Sequence, residues 1–314
     1  KEEAALRSRA AEQMLAVAER LFGPYRWDRY DLLIMPPSFP FGGMENPRLS
    51  FITPTVIAGD RSLVSMITHE MAHSWSGNLV TNTGWNDFWL NEGITTYLER
   101  RILEGVYGAR LADMERLLGL QYLDEEIATL TESGRRADTA LVLDLSGRAP
   151  EEALSNIAYE KGGLFMQFLE WRLGRAAIDR FLAGYFRDFA FRGVTTPEFE
   201  TYLRSRLLAD PPGAVSEREL QEWLHGTGLP GVVPPAPAGV FVDVERQRDD
   251  WLTGRLATRE LEARQWSPQE WMRFLDTLPA DLPDPRLAEL DEHWAPGAAG
   301  NFEIARSWLL LAVR

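Results

Sequence analysis

The stretch SLVSMITHEMAHSWSGNLV, residues 62–80, decides the reading of this chain. It holds His69 and His73, two of only four histidines in 314 residues, with Glu70 directly after the first. The apolar residues around them recur at helical spacing. On an α-helix, positions four apart lie one above the other, roughly 40° apart around the axis, so both imidazoles project to one side. Glu70 follows at roughly 100°, where it flanks an ion held by the histidines without ligating it. HEMAH thus has the H-E-x-x-H form of a zinc site with an adjacent general base. By itself the same pattern also fits a buried amphipathic helix that happens to carry two histidines.

Catalytic zinc takes three protein ligands and keeps one position open. Downstream, NDFWLNEGITTYLERR (86–101) opens a second helical pattern, and Glu92 near its start supplies a third ligand of the right type. Between His73 and Glu92 there is room for a helix end, a loop and a returning helix. Glu99 lies two turns beyond Glu92 on the same face, placed either to orient a histidine or to face solvent. The chain has no cysteine, which excludes disulfides and leaves only imidazole and carboxylate as zinc ligands. That composition fits a reducing compartment, and the cytoplasm is the expected location.

Charge sets further limits. With 33 basic and 47 acidic residues the formal net charge is −14, which repels phosphate backbones and anionic lipid and argues against nucleic acid or a membrane surface as partner. The longest uncharged apolar stretch, LPGVVPPAPAGVFV (229–242), is broken by four prolines and cannot form a spanning helix. The chain starts at Lys1 and stops within SWLLLAVR, so both ends read as cut from something longer.

Residues 3–22 read as an amphipathic helix through Ala5, Leu6, Met14, Leu15, Ala18 and Leu21. YDLLIMPPSF then reads as a strand stopped by Pro36 and Pro37, and RLSFITPTV as a second strand after a glycine-containing loop. From about residue 60 the pattern is mostly helical. Helix starts are expected at Thr196 with Pro197, at Ser216 with Glu219, and at Ser267 with Pro268 and Glu270. The division expected is a domain over 1–228, a proline-rich linker over 229–240, and the start of a second, helical domain over 241–314.

At this point the motifs resemble a known family. HEMAHSWSGNLVTNTGWNDFWLNEG looks like the zinc aminopeptidases of the gluzincin clan, and FGGMENP at 41–47 looks like their G-x-M-E-N exopeptidase motif. The wording of GGMENPRLSFITPTVIAGD and FWLNEGITTYLERR is similar to the branch containing leukotriene-A hydrolase and aminopeptidase B. The resemblance implies a mainly helical, thermolysin-like zincin catalytic domain with a small β-sheet, followed by an incomplete α-helical (superhelical) domain. It implies one Zn2+ on His69, His73 and Glu92, with Glu70 as general base. It implies that Glu45 binds the free amino group of a peptide substrate, beside Gly42, Gly43 and Met44, where the glycines admit a substrate backbone. Tyr159, in NIAYEKGG, matches the family's donor to the oxyanion. Without the resemblance, the GGMEN segment reads as an ordinary turn with a surface acid, and Tyr159 as a half-buried tyrosine at a helix start.

Some positions depart from the branch. Its epoxide-hydrolysing members carry a second tyrosine five residues before the catalytic one, where this chain has Leu154, and an aspartate where it has Glu151. Phe41 stands where a tyrosine often precedes the glycines. The family's N-terminal β-domain, which helps close the cleft, is not in this sequence. The expected function is hydrolysis of the N-terminal bond of short peptides through a zinc-activated water. The alternatives are a bifunctional epoxide hydrolase and aminopeptidase, a thermolysin-type endopeptidase, and a non-catalytic peptide-binding scaffold.

Overall fold

The structure, a computed structural model, describes residues 2–56, 64–209 and 212–313, with side chains from Ala10 onward. Ala5 and Leu6 of the first helix therefore lack described side chains, and Ser62 and Leu63 of the histidine-bearing stretch lie outside the described residues.

Helix α1 (Glu2–Phe22) buries Met14, Ala18 and Phe22 and packs on the helices that carry the histidines and Glu92. Strand β1 (Asp31–Ile34) ends before Pro36, which can donate no ladder hydrogen bond. It pairs in parallel with β3 (Leu49–Ile52), Asp31 opposite Leu49. The segment between them differs from the expected loop: Gly43 and Met44 form a short strand, β2, antiparallel to β3, with Gly43 opposite Ile52. Two residues are too few to show a strand period, and paired glycines read locally as a turn.

Helix α2 (Val64–Ala72) runs into His73, whose amide still bonds the His69 carbonyl at 3.1 Å. Strand β4 (Val80–Asn82) follows, then a Gly84 turn, then α3 (Trp89–Tyr107). Helix α4 (Ala109–Glu132) turns back, and a single turn of π-helix (Ile157–Lys161) leads into α5 (Gly162–Leu173). Helix α3 packs on α2, α4 and α5 and is the hub of the first core. Glycine makes its contact with α5 possible: a Cβ on Gly93 or Gly162 would stand 2.6 Å from the other's Cα.

After α6 (Arg175–Asp188), strand β5 (Arg192–Val194) pairs in parallel with β4, Val80 opposite Arg192. Helix α7 (Thr196–Arg206) is capped by Thr195, one residue before the cap expected at Thr196. The S/T-x-x-E spacing explains the shift: Thr195 and Glu198 exchange the capping bonds, while Thr196 Oγ1 accepts from Trp89 Nε1 at 2.9 Å. The expected boxes Ser216–Glu219 and Ser267–Glu270 open α8 (Glu217–His225) and, after α9 (Val242–Leu252), α10 (Pro268–Asp276).

Residues 229–240 contain no helix or strand. Beyond them, α9, α10, α11 (Asp284–Trp294) and α12 (Phe302–Ala312) enclose a second apolar cluster that includes Trp251, Trp271, Phe274 and Leu290. Met114 and Leu118 of α4 belong to that cluster, whereas Leu123 and Leu130 of the same helix belong to the first. Among the described residues no helix is long and apolar enough to cross a membrane.

Candidate active site

The helices bring His69, His73 and Glu92 together at the floor of a cleft of about 590 Å³. One donor atom from each lies within 4.8 Å of the others. Glu92 Oε2 is 3.1 Å from His69 Nε2 and 3.4 Å from His73 Nε2. Both rings present Nε2 because Nδ1 is held from behind. His69 Nδ1 meets Glu99 Oε2 at 3.1 Å, and His73 Nδ1 meets the Ser76 carbonyl at 3.0 Å and Thr95 Oγ1 at 3.2 Å. Such partners fix tautomer and ring orientation.

Glu70 is buried beside these groups, and its Oε2 has no hydrogen-bond partner. A buried carboxylate oxygen left unpaired is costly, which marks the position as one built for a ligand or a proton. Gly43 lines the other side of Glu70, and a Cβ there would overlap the Glu70 carboxylate. The close approach that this glycine permits in the structure is therefore to Glu70. At Gly42 the neighbour is the Met66 side chain. Glu45 is half-buried, with its carboxylate accepting from Asn91 Nδ2 at 3.4 Å and its carbonyl from Asn78 Nδ2 at 2.6 Å. Tyr159 lies across the cleft floor, its ring stacked on His69 with centroids 5.9 Å apart.

The peptidase family M1 domain matches residues 7–221 of this chain. The chain belongs to the peptidase M1 family. Leucine aminopeptidase 2-1 of Meyerozyma guilliermondii is 38% identical over 272 residues, covering 85% of this chain and 44% of that protein. Among solved structures, yeast leukotriene A4 hydrolase in complex with bestatin matches with a TM-score of 0.86 and 30% identity, over 96% of this chain and 52% of that one. An M1 zinc metallopeptidase from Deinococcus radiodurans, bound to a Tyr-Ser-Ala substrate, matches with a TM-score of 0.54 and 27% identity, over 72% of this chain and 45% of that one. The chain thus spans about half the length of these relatives, or less.

Within this M1 chain two of the three positions that depart from the branch lie at the cleft mouth. Phe41 and Leu154 both line it and both are exposed, next to Trp85. Glu151 is exposed but is not part of the cleft lining. Six glutamates line the M1 cleft, at positions 45, 70, 92, 99, 115 and 303. Burial pushes the Glu70 carboxyl up to about 7, against the pull of His73 and His69. Burial also opposes charge on His69, but Glu92 and Glu99 outweigh it and hold its pKa well above the usual range. For Glu92 burial is again outweighed, here by His73 and His69, and its pKa falls to about 2. Burial opposes charge on His73 too, but Glu92 outweighs it, and a pocket that favours positive charge on both imidazoles suits a divalent cation in place of protons.

Sequence reasoning passed over Asn78, Asn91, Ser76 and Thr95. Asn91 stands directly before Glu92, yet its bond to Glu45 joins segments far apart in the chain, and the Ser76 contact uses a backbone carbonyl. No residue-type pattern announces either.

Proposed function

We propose that the chain is the catalytic part of a zinc aminopeptidase that removes N-terminal residues from short peptides. Residues 1–228 form its catalytic domain, 229–240 a linker, and 241–314 the start of a helical domain. The observation that carries this reading is a three-donor cluster with the unpaired Glu70 oxygen at its side and Glu45 at its rim, in one cleft. The donor set fits zinc: two imidazoles and a carboxylate leave one position open. His69, His73 and Glu92 would hold the ion, and when bound it supplies a Lewis acid that acidifies water and polarises a carbonyl.

The chain's own residues do the rest. Glu70 Oε2 accepts the proton of the attacking water and hands it to the departing amine. Glu45, steadied by Asn78 and Asn91, accepts hydrogen bonds from the substrate's α-ammonium, which a peptide interior lacks. Burial and the nearby Glu92 raise the Tyr159 pKa, so the phenol keeps its proton and donates it as a hydrogen bond to the developing oxyanion. The Tyr-Ser-Ala complex of the Deinococcus radiodurans relative supports a peptide as ligand. Leu154 brings no hydroxyl to the mouth of the cleft, which favours peptide hydrolysis without epoxide hydrolysis.

The test uses the full-length protein with its zinc content measured. Glu70→Gln with zinc retained is expected to lower kcat on an aminoacyl reporter by about 10²–10⁴-fold. Activity near wild type would remove Glu70 from the mechanism. N-acetylation of a peptide substrate should abolish its cleavage, and continued cleavage would point to an endopeptidase.

A further inference from the structure

Three consecutive residues leave the π-helical turn in three directions. Tyr159 lines the cleft. Glu160 accepts two hydrogen bonds from Arg100 Nη2, at 2.8 and 2.6 Å, which ties the turn to α3. Lys161 points inward. It is completely buried, and its Nζ donates to the carbonyls of Thr139 at 2.8 Å and Gly226 at 2.7 Å.

Among the described residues no carboxylate lies within ion-pair distance of the Lys161 Nζ, and burial alone pulls its pKa down to about 7. Taking an ammonium into such a place costs free energy that an apolar side chain of similar length avoids. What the amine gains is two carbonyls that stand at the ends of separate elements, the short 3-10 helix Arg136–Thr139 and α8. Thr139 closes a short turn after α4, and Gly226 follows the end of α8. A neutral amine carries two N–H bonds, one for each carbonyl. The two segments are also tied to each other, since Gly228 N donates to Thr139 Oγ1 at 2.7 Å. On the opposite side, Gly162 packs against Gly93, the residue after Glu92. The turn is thus held between the helix that carries Glu92 and the segments gripped by Lys161.

We propose that Lys161 is a positioning residue for Tyr159: its bonds to Thr139 and Gly226 fix the π-helical turn so that the phenol faces the reacting carbonyl. This inference rests on the reading of Tyr159 as the oxyanion donor.

A double-mutant cycle on the full-length protein tests it, with steady-state kinetics and zinc content for Tyr159→Phe, Lys161→Met and the pair. Tyr159→Phe is expected to lower kcat about 10²–10³-fold, the size of a lost oxyanion donor. Lys161→Met is expected to lower kcat about tenfold or more with KM and zinc unchanged. Added to Tyr159→Phe, it should cost less than about twofold, because the group it positions is already gone. If Tyr159→Phe leaves kcat intact, the oxyanion reading fails. If Tyr159→Phe is costly but Lys161→Met is harmless, or multiplies in full with it, the positioning role alone fails. Should Lys161→Met yield no folded protein, Lys161→Gln, whose shorter side chain cannot reach both carbonyls, takes its place in the cycle, and the same two outcomes decide.

Discussion

Helices α3 and α10 follow opposite rules. In α10 the buried charges are absent: Trp271, Met272, Phe274 and Leu275 go inside with one uncharged polar residue, Gln269, which donates to Glu115 at 3.0 Å, while Glu270, Arg273 and Asp276 stay half-buried at the rim. In α3 every residue from Trp89 to Leu103 is buried, including Glu92, Glu99, Arg100 and Arg101. Each of those charges meets a partner from another element or, for Arg101, also from its own: His69 and His73, His69 again, Glu160, and Tyr97 with Asp179. An ionised side chain is costly to bury unless it is paired. A helix buried against its own polarity is therefore held by specific partners, and in this molecule that helix carries the site.

The contrast can be broken most directly at Arg101, which is 3% exposed and stands 2.8 Å from Asp179. Arg101→Met is expected to destabilise the protein by about 3 kcal/mol in urea unfolding, the low end for a broken buried pair because Asp179 is partly wetted. A loss below about 1 kcal/mol would mean that the buried charges of α3 behave like surface ones. Next in size is Glu99→Gln. The amide can still accept from His69 Nδ1–H but no longer offers a charge, so zinc affinity should fall about tenfold in a chelator competition. Unchanged affinity would return Glu99 to a purely structural part. The smallest effect is expected at the α4–α10 pair Arg110–Glu270, where Arg110 is 57% exposed. Arg110→Ala should cost no more than about 1 kcal/mol, and a cost matching that of Arg101→Met would erase the distinction between the two helices.

The same contrast explains what could be read without coordinates. The Ser216 and Ser267 helix starts were legible because Ser-x-x-Glu encodes a local exchange of bonds. The HEMAH spacing placed two imidazoles on one side of a helix, and the rings do lie 4.7 Å apart. Glu92 could be nominated by counting zinc ligands. The burial of α3 could not be foreseen, because its charges look like a solvated face until their partners arrive from elsewhere. For that reason the sequence alone leaves Glu99 equally suited to orienting a histidine and to facing solvent. Strand β2 was hidden by its length, and Lys161 by the fact that its partners are backbone carbonyls, which every residue offers alike.

The parallel pairing of β4 with β5 has a consequence for the order in which the molecule can be made. Glu45, His69, Glu70, His73, Glu92 and Tyr159 all leave the ribosome before Arg192–Val194, the strand that braces the connection between His73 and Glu92. Until that late segment arrives, and Thr196 with it to bond Asp87 and Trp89, the nascent chain carries all of these cleft side chains without the frame that spaces them. Long-range pairings of this kind close slowly, so assembly of the centre waits on its most distant strut.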